Sequence, residues 1–289
     1  MGSRAPTAVE DVRRYYDENT ARFVRFGDGR DIGAIHRAVR PEPGDSETDP
    51  LRTLDRLVLA ELTRVGERFA PPLHVLDLGC GVGSSVVYLA TARPIHATGV
   101  TLSGVQAARA RERVEALGLD ARVEILEASY LELPETLPPA ALAFSLEAFI
   151  HGPDPAAFFA SAAARVAPDG ALVICDDFLG SRAERPLTPR DERFLRDVRE
   201  GWLANSLVTV SRALELAGAA GFRLERNLDL SARLDLERPR DRAIAVLVAL
   251  GRHLPLDGYW FRSLRGGHAL QQALKRKLLE FRCLVWRRV

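Results

Sequence analysis

The sequence predicts an α/β fold built on a doubly wound, mostly parallel sheet. From residue 73 onward, short apolar runs alternate with helical stretches, which is typical of βαβ units. Right-handed crossovers between parallel strands then place helices on both faces of the sheet. Gly170 and Gly221 each precede an apolar run, where glycine commonly ends a helix.

The elements are expected in a definite order. An amphipathic helix over residues 8–24 ends at Gly27-Asp28-Gly29, and a second helix opens at Asp49-Pro50, since Asp caps a helix and Pro suits its first turn. Five strands are then predicted over 73–78, 95–100, 122–127, 140–146 and 171–176, separated by helices near 83–92, 103–117 and 154–166. Further helices are predicted over 190–203, 206–219, 240–252 and 266–278, and strands over 222–231 and 280–288, which makes seven strands.

Composition excludes several classes of function. Lys and Arg total 40 against 39 Asp and Glu, so no bulk positive field points to nucleic acid. No run of 18 apolar residues is present, so no stable membrane insertion is expected. The cysteines, Cys80, Cys175 and Cys283, lack metal-ligand spacing, which predicts a reducing, cytoplasmic location and no metal site.

A glycine-rich loop follows the first predicted strand. Gly79, Gly81 and Gly83 let the chain turn sharply and let a ligand approach the backbone, while the next helix points its first N–H groups at that ligand. Such loops bind either dinucleotides or S-adenosylmethionine. Asp77, inside the strand, is placed to face an ammonium group. No acid follows the second strand, where an NAD site needs one for the ribose, so an NAD-dependent reductase is disfavoured.

The stretch VLDLGCGVG resembles the first motif of class I S-adenosylmethionine-dependent methyltransferases, and the order of elements from about residue 55 to 289 resembles their fold. The resemblance implies a Rossmann-like methyltransferase fold, an enzyme, and S-adenosylmethionine as cofactor. The stretch GVTLSGVQAARAR is similar to the tocopherol, sterol and terpenoid C-methyltransferase branch. In that branch Thr and Gln stand where most class I enzymes have a ribose-binding acid.

The resemblance also implies the cofactor contacts. Ser129 stands where the family usually has the Asp that accepts from the adenine amino group, and Tyr130 is expected to pack on the adenine. The expected cofactor-binding residues are Tyr16, Asp77, Gly79, Cys80, Gly81, Thr101, Leu102, Gln106, Ser129, Tyr130 and Leu146.

The end of the fourth strand carries the expected catalytic residues, Glu147 and His151. Ligands lie at the carboxyl ends of parallel strands, and residues four apart share one face if the segment is helical. A carboxylate in an apolar cleft has a raised pKa, which suits a general base. Which of the two is the base is left open. Asp176 and Asp177, after the fifth strand, are interpreted as loop-capping residues rather than metal ligands.

Aromatic and histidine side chains are expected around the acceptor. The segment Arg14-Tyr15-Tyr16-Asp17 and the later His36 resemble the entry helix of the same branch. Helices inserted after strand five are expected to cap the acceptor and to exclude water. The chain is accordingly divided into a helical lid (1–50), a cofactor-binding α/β core (51–180), and cap insertions with the last two strands (181–289). The expected substrate-contacting residues are His36, Phe149, Phe178, Trp202 and Tyr259.

The predicted function is methylation of a small lipophilic metabolite, a terpenoid or prenyl compound of specialised metabolism. C-methylation with a carboxylate base is the first interpretation. O-methylation, or a cyclase that retains the cofactor, is the alternative. A basic C-terminal segment, residues 271–289, is interpreted as solvated charge around a structural strand. The acceptor, the oligomeric state and any metal requirement are left open.

Overall fold

Seven strands form one sheet in the order β3-β2-β1-β4-β5-β7-β6. The computed structural model describes residues 9–26, 33, 35–44, 48–251 and 258–289. Strands β1 to β5 are parallel to one another, and β7 is antiparallel to both β5 and β6. The strands are β1 (His74–Leu78), β2 (His96–Thr101), β3 (Val123–Glu127), β4 (Ala140–Leu146), β5 (Val166–Leu179), β6 (Phe222–Asp229) and β7 (Leu279–Arg288). The predicted fold class is confirmed.

Helices precede, separate and follow the strands as the sequence predicts. They are α1 (Val9–Phe26), α2 (Thr53–Gly66), α3 (Ser84–Ala92), α4 (Gly104–Ala116), α5 (Pro155–Arg165), α6 (Pro189–Gly201), α7 (Val210–Ala219), α8 (Pro239–Gly251) and α9 (Tyr259–Lys275). Within the described part of the chain, none of them is long and apolar enough to cross a membrane. The predicted stop of the first helix at Gly27-Asp28-Gly29 lies outside the described residues.

Two boundaries differ most from the prediction, and in both cases a glycine lies inside the element. Helix α9 begins at Tyr259 rather than near 266, and Gly266 lies inside the helix where it approaches α6; an added Cβ there would be 2.8 Å from the Cα of Gly201. Strand β5 starts before Gly170 and not after it, and pairs with β4 on one side and β7 on the other. Glycine at these two positions therefore reflects close backbone approach and not the end of a helix.

The order of strands fixes where a ligand can lie. The chain reverses its winding direction between β1 and β4, so the loops after these two strands diverge and leave a crevice at their carboxyl ends. Strand β4 is buried along its whole length, which makes that edge of the crevice rigid. The expected cofactor-binding and catalytic residues after β1, β2 and β4 meet at this point.

Candidate active site

A cavity occupies the crevice between the carboxyl ends of β1 and β4. Its volume is about 1060 Å³ when the open solvent at its mouth is included. Every expected cofactor-binding residue and both expected catalytic residues line it. Also lining it are residues not singled out for it by the sequence: Val9, Val12, Ile35, Val82, Ser84, Ser85, Ser103, Leu131, Ala148, Gly152 and Pro153.

The glycine-rich loop forms the floor of the cavity beside β1. Gly79 and Gly81 have φ values of 110° and 54°, and a Cβ on Gly79 would collide with the Cβ of Ala148. The N–H groups of Gly79 and Cys80 donate to the carbonyl of Val100 at 3.0 and 2.8 Å. These bonds tie the turn to β2, so the loop is held in one shape. A Cβ on Gly81 would meet only Ile35, at 3.8 Å, so a side chain there would grow into the cavity.

Asp77 is a buried carboxylate that lacks a compensating cation. It is 2% exposed, and its Oδ2 has no hydrogen-bond partner among the described residues. Burial, and then the nearby charge of Asp55, hold the pKa of Asp77 well above its ordinary value. A buried carboxylate is stabilised by a cation that hydrogen-bonds to it, so this end of the cavity favours an ammonium group.

Thr101 and Gln106, predicted to replace the ribose-binding acid, are in direct contact. The Thr101 hydroxyl donates to Gln106 Oε1 at 2.8 Å, which turns the amide nitrogen of Gln106 away from Thr101. Ser103 caps α4 by accepting from the Gln106 N–H at 3.1 Å, and it donates to Asp17 of α1 at 2.6 Å. The short loop between β2 and α4 thus fixes the orientation of the Gln106 amide and anchors the N-terminal helix α1.

The residues after β3 and β4 line the opposite wall. Ser129 accepts from the N–H of Leu131 at 3.2 Å, and the Tyr130 hydroxyl donates to the carbonyl of Ala148 at 3.2 Å. The Tyr130 ring also packs edge-to-face on Phe158, with centroids 5.3 Å apart. Its orientation is therefore set by protein contacts at both ends of the side chain.

His151 forms a hydrogen-bonded pair with Tyr16 of α1. Its Nδ1 lies 3.4 Å from the carbonyl of Leu203, so Nδ1 carries the proton and Nε2 accepts from the Tyr16 hydroxyl at 2.7 Å. Burial lowers the pKa of His151 to about 4. Burial likewise holds the pKa of Tyr16 well above its ordinary value. Both groups are therefore neutral at physiological pH, and the imidazole has one basic nitrogen.

Glu147 is not the unpaired carboxylate that the sequence argument assumed. It accepts from the backbone N–H of Arg37 at 2.7 Å and from Arg37 Nε at 3.0 Å. The same guanidinium donates to Asp177 at 3.2 and 2.8 Å and lies over the ring of Phe281 at 4.3 Å. Burial alone would lower the pKa of Arg37, but the charges of Asp177 and Glu147 outweigh it and raise that pKa. Arg37 is therefore a permanent cation between two carboxylates.

Glu147 and His151 do not share a helix face. Glu147 has φ of 53°, in the left-handed region, and its N–H donates to the carbonyl of Cys175 at 2.8 Å; a short 3₁₀ turn over Phe149–His151 follows. The left-handed residue directs the carboxylate to Arg37, whereas the turn directs the imidazole to Tyr16. Both side chains line the cavity, but each has its own partner.

Asp176 acts as a cap. Its two carboxylate oxygens accept from the N–H groups of Ile150 at 3.0 Å and of Asp177 at 2.8 Å. Burial, and then the charge of Asp177, raise the pKa of Asp176. Across the described ranges, no group of three or more His, Cys, Asp or Glu side chains is arranged to hold a metal ion.

The expected substrate contacts are only partly brought together. His36 and Trp202 line the cavity. Phe149 and Phe178 do not: both are fully buried and stack on each other with centroids 5.9 Å apart, in the core beneath β4 and β5. Tyr259 also lies outside the lining, packed edge-to-face on Tyr15. In the sequence, apolar residues next to catalytic candidates suggest the wall of the pocket. In the structure, Phe149 and Phe178 instead fill the adjoining core.

The main functional residue that the sequence reasoning missed is Arg37. It directly follows His36, yet its two carboxylate partners are 110 and 140 positions away, so no local spacing signals the pairing. Asp55 was missed for the same reason; its Oδ1 lies 3.9 Å from His36 Nε2. The only signal for Arg37 in the sequence is its position directly after His36, which had already been singled out.

Comparison with known proteins gives consistent results. A family model described as "Methyltransferase domain" matches residues 75–170. An O-methyltransferase of Aspergillus nomiae is 31% identical over 64% of this chain and 78% of that protein. A 24-methylenesterol C-methyltransferase of Oryza sativa is 27% identical over 65% of this chain and 50% of that protein.

Among solved structures, geranyl diphosphate C-methyltransferase from Streptomyces coelicolor has the same fold. The two share a TM-score of 0.71 at 18% identity, and the match covers 99% of this chain and 100% of that one. That structure was solved with Mg²⁺, geranyl diphosphate and S-adenosyl-L-homocysteine. The predicted Rossmann-like methyltransferase fold is confirmed by this likeness.

Proposed function

We propose that this chain, which belongs to the class I S-adenosylmethionine-dependent methyltransferases, methylates a hydroxyl group of a lipophilic small metabolite and uses His151 as the proton acceptor. One observation carries the proposal: the cavity contains a neutral imidazole whose basic Nε2 faces a tyrosine hydroxyl, while its other candidate base, Glu147, is paired with Arg37. The acceptor class and the reacting atom are the proposed part.

The residues at the cavity floor fit S-adenosylmethionine. The unpartnered, buried Oδ2 of Asp77 suits the ammonium of its methionine portion, and Gly81 leaves room where a side chain would block that portion. The Thr101–Gln106 pair would bind the ribose hydroxyls, and Ser129 with Tyr130 would border the adenine. The remaining expected cofactor contacts, which line the same cavity, are Tyr16, Gly79, Cys80, Leu102 and Leu146.

The charge changes that accompany methyl transfer favour His151 as the proton acceptor. The cofactor supplies a methyl group already activated by a positively charged sulfur, which becomes neutral when the methyl group leaves. An acceptor hydroxyl must then lose its proton, and His151 becomes cationic as it takes that proton. The net charge of the cavity stays constant, so the burial that makes imidazolium costly in the resting protein is offset during the step. Glu147 lies close enough to favour the cationic imidazole.

Arg37 explains why a hydroxyl acceptor is preferred to an alkene. Alkene methylation produces a carbocation, which requires aromatic faces and an available base. The sequence analysis expected Glu147 as the base and Phe149 as a substrate contact. Phe149 is buried in the core, and Glu147 accepts two hydrogen bonds from Arg37. Both carboxylate oxygens of Glu147 are therefore occupied by Arg37 in this structure.

The lining supports a lipophilic acceptor. Beyond the glycine loop, the walls are formed largely by apolar side chains, and among these Val9 and Val12 come from α1. A ligand bound there would be shielded from water by the segment that carries Tyr16, His36 and Arg37. We interpret residues 1–50 as a lid, 51–180 as the cofactor-binding core, and the helices between β5 and β7 as a support for the acceptor end.

The proposal is tested by product analysis with a methyl-labelled donor. Three probes are used: geraniol as an alcohol, 4-propylphenol as a phenol, and geranyl diphosphate as an alkene without a hydroxyl acceptor. Label recovered as a methyl ether supports the proposal. Label on a carbon of geranyl diphosphate establishes C-methylation instead, and loss of acceptor without label indicates a cofactor-retaining rearrangement. Either result would overturn the hydroxyl assignment.

A further inference from the structure

The hydrogen bond between Tyr16 and His151 has a chemical consequence. A neutral imidazole accepts a proton only at its unprotonated nitrogen, which here is Nε2. The Tyr16 hydroxyl lies 2.7 Å from that nitrogen, and the two rings meet edge-to-face with centroids 5.4 Å apart. An acceptor hydroxyl in the cavity therefore meets the oxygen of Tyr16 before it can reach Nε2.

We propose that Tyr16 is a catalytic residue that relays the proton from the acceptor hydroxyl to His151. The inference rests on the proposed function. As the acceptor oxygen takes the methyl group from the sulfur of the cofactor, so that the sulfur–methyl bond breaks, its own O–H bond breaks and the proton passes to Tyr16 Oη. The proton that Tyr16 carried passes at the same time to His151 Nε2. Tyr16 ends neutral, His151 ends as imidazolium, and no further reagent is needed.

A relay suits these two side chains better than a tyrosinate intermediate does. Burial raises the pKa of Tyr16, so a persistent phenolate would be costly in this cavity. Passing one proton on while receiving another avoids that charge. The groups that face the imidazole are the Tyr16 hydroxyl, the backbone of Leu203 and of Trp202 and, through its charge, Glu147 with its partner Arg37.

The relay also connects catalysis to the position of α1. Tyr16 belongs to a helix that is anchored by Asp17 on Ser103 and by Phe23, which stacks on Trp202 with centroids 6.3 Å apart and planes 3° apart. Its neighbour Tyr15 packs against Tyr259. The proton acceptor is complete only when α1 is docked in this way, so chemistry would await closure of the lid.

The test compares Tyr16→Phe with Tyr15→Phe. Both remove one tyrosine hydroxyl from the same helix, but Tyr15 does not line the cavity. Tyr16→Phe should slow turnover of the labelled probe alcohol or phenol by about 100-fold or more, the range of acid–base contributions. Because Tyr16→Phe keeps the ring that borders the cofactor, its affinity for S-adenosylhomocysteine, measured by calorimetry, should fall far less than its turnover. Tyr15→Phe should keep the wild-type rate.

Nitrogen-15 NMR of histidine-labelled protein bound to S-adenosylhomocysteine gives a readout that needs no acceptor. The wild-type His151 signals should show Nδ1 protonated and Nε2 unprotonated, and Tyr16→Phe should shift Nε2 alone. A proton on Nε2 in the wild type, or wild-type turnover in Tyr16→Phe, overturns the relay. Failure of the proposed function is recognised separately, because the wild type would then methylate none of the probe hydroxyls.

Discussion

The two halves of the cavity are built in different ways. In the cofactor half, each side chain lies beside the strand end that positions it: Asp77 with Gly79, and Thr101 with Gln106 five residues on. In the acceptor half, the contacts join distant segments, since Tyr16 and His151 are 135 positions apart and Arg37 and Glu147 are 110 apart. The contacts described in the cofactor half join residues that are close in the sequence. The contacts in the acceptor half form only when folding brings distant segments together.

This difference has a functional meaning. A site made of one strand and the turn after it keeps its shape wherever the rest of the chain lies, so the cofactor half is preformed. The acceptor half depends on residues 9–26 and 35–44 being docked on the ends of β4 and β5. Arg37 contributes to that docking, because its backbone and side chain donate four hydrogen bonds to Glu147 and Asp177.

Replacing Arg37 with methionine should have the largest effect on stability. It leaves Glu147 and Asp177 without their cation, with side chains only 16% and 4% exposed. Breaking a buried ion pair from one side costs about 3–5 kcal/mol of the free energy of unfolding, which urea denaturation would measure. Arg212→Met is the matched control, because Arg212 pairs with Glu215 on the surface and its loss should be too small to measure. Equal losses in the two variants would contradict a special role for Arg37.

Gly81→Leu should abolish cofactor binding while the acceptor half stays intact. The leucine would project into the cavity, and we expect affinity for S-adenosylhomocysteine to fall by more than about 100-fold, or about 2.7 kcal/mol, by calorimetry. Gly118→Leu controls for backbone strain, since Gly118 has a similar positive φ of 62° with nothing near its Cβ position. If both variants bind normally, the glycine loop is not the cofactor site.

Acid should weaken the acceptor half through His151. An unfolded histidine takes up a proton near pH 6.5, whereas burial lowers the pKa of His151 to about 4 in the folded protein. Between these values the unfolded chain binds more protons, so stability falls as pH decreases. From pH 7 to pH 5 this group removes about 2 kcal/mol from the free energy of unfolding.

His151→Gln removes that contribution and keeps an acceptor for Tyr16, so its stability should fall by about 2 kcal/mol less than the wild type does over the same interval. His96→Gln, at an exposed position, should follow the wild type. Parallel curves for the wild type and His151→Gln would show that the imidazole is not buried neutral.

The same contrast explains how much the sequence could predict. Alternation of apolar runs and helices predicted all seven strands, because each element is encoded by its own residues. The glycine loop was predicted for the same reason, whereas the Thr101–Gln106 pair was expected from the resemblance of its segment to a methyltransferase branch. By contrast, Glu147 was taken for an unpaired base, since its partner Arg37 lies in a segment that spacing cannot relate to β4.

The direction in which a side chain packs is a second property that the sequence did not predict. Phe149 lies two residues from Glu147 and was taken for a wall of the acceptor pocket, but it points into the core with Phe158 and Phe178. The left-handed φ of Glu147 and the 3₁₀ turn after it decide this orientation. A helix through the same residues would have placed Glu147 and His151 on one face.

Glu147→Gln should have the smallest effect of the changes considered. The amide oxygen can keep one of the two hydrogen bonds from Arg37, and Asp177 keeps its own two, so the lid should stay docked and the affinity for S-adenosylhomocysteine should not change. The negative charge that favours an imidazolium at His151 is lost, which should slow turnover of the labelled probe about tenfold, the equivalent of one pKa unit. Glu135→Gln, at an exposed position outside the cavity, controls for loss of a carboxylate. If turnover instead falls about 1000-fold, Glu147 is itself the base, and its ion pair with Arg37 belongs to the resting enzyme alone. If turnover stays at the wild-type rate, the charge of Glu147 has no part in catalysis, and Glu147 serves only to dock Arg37.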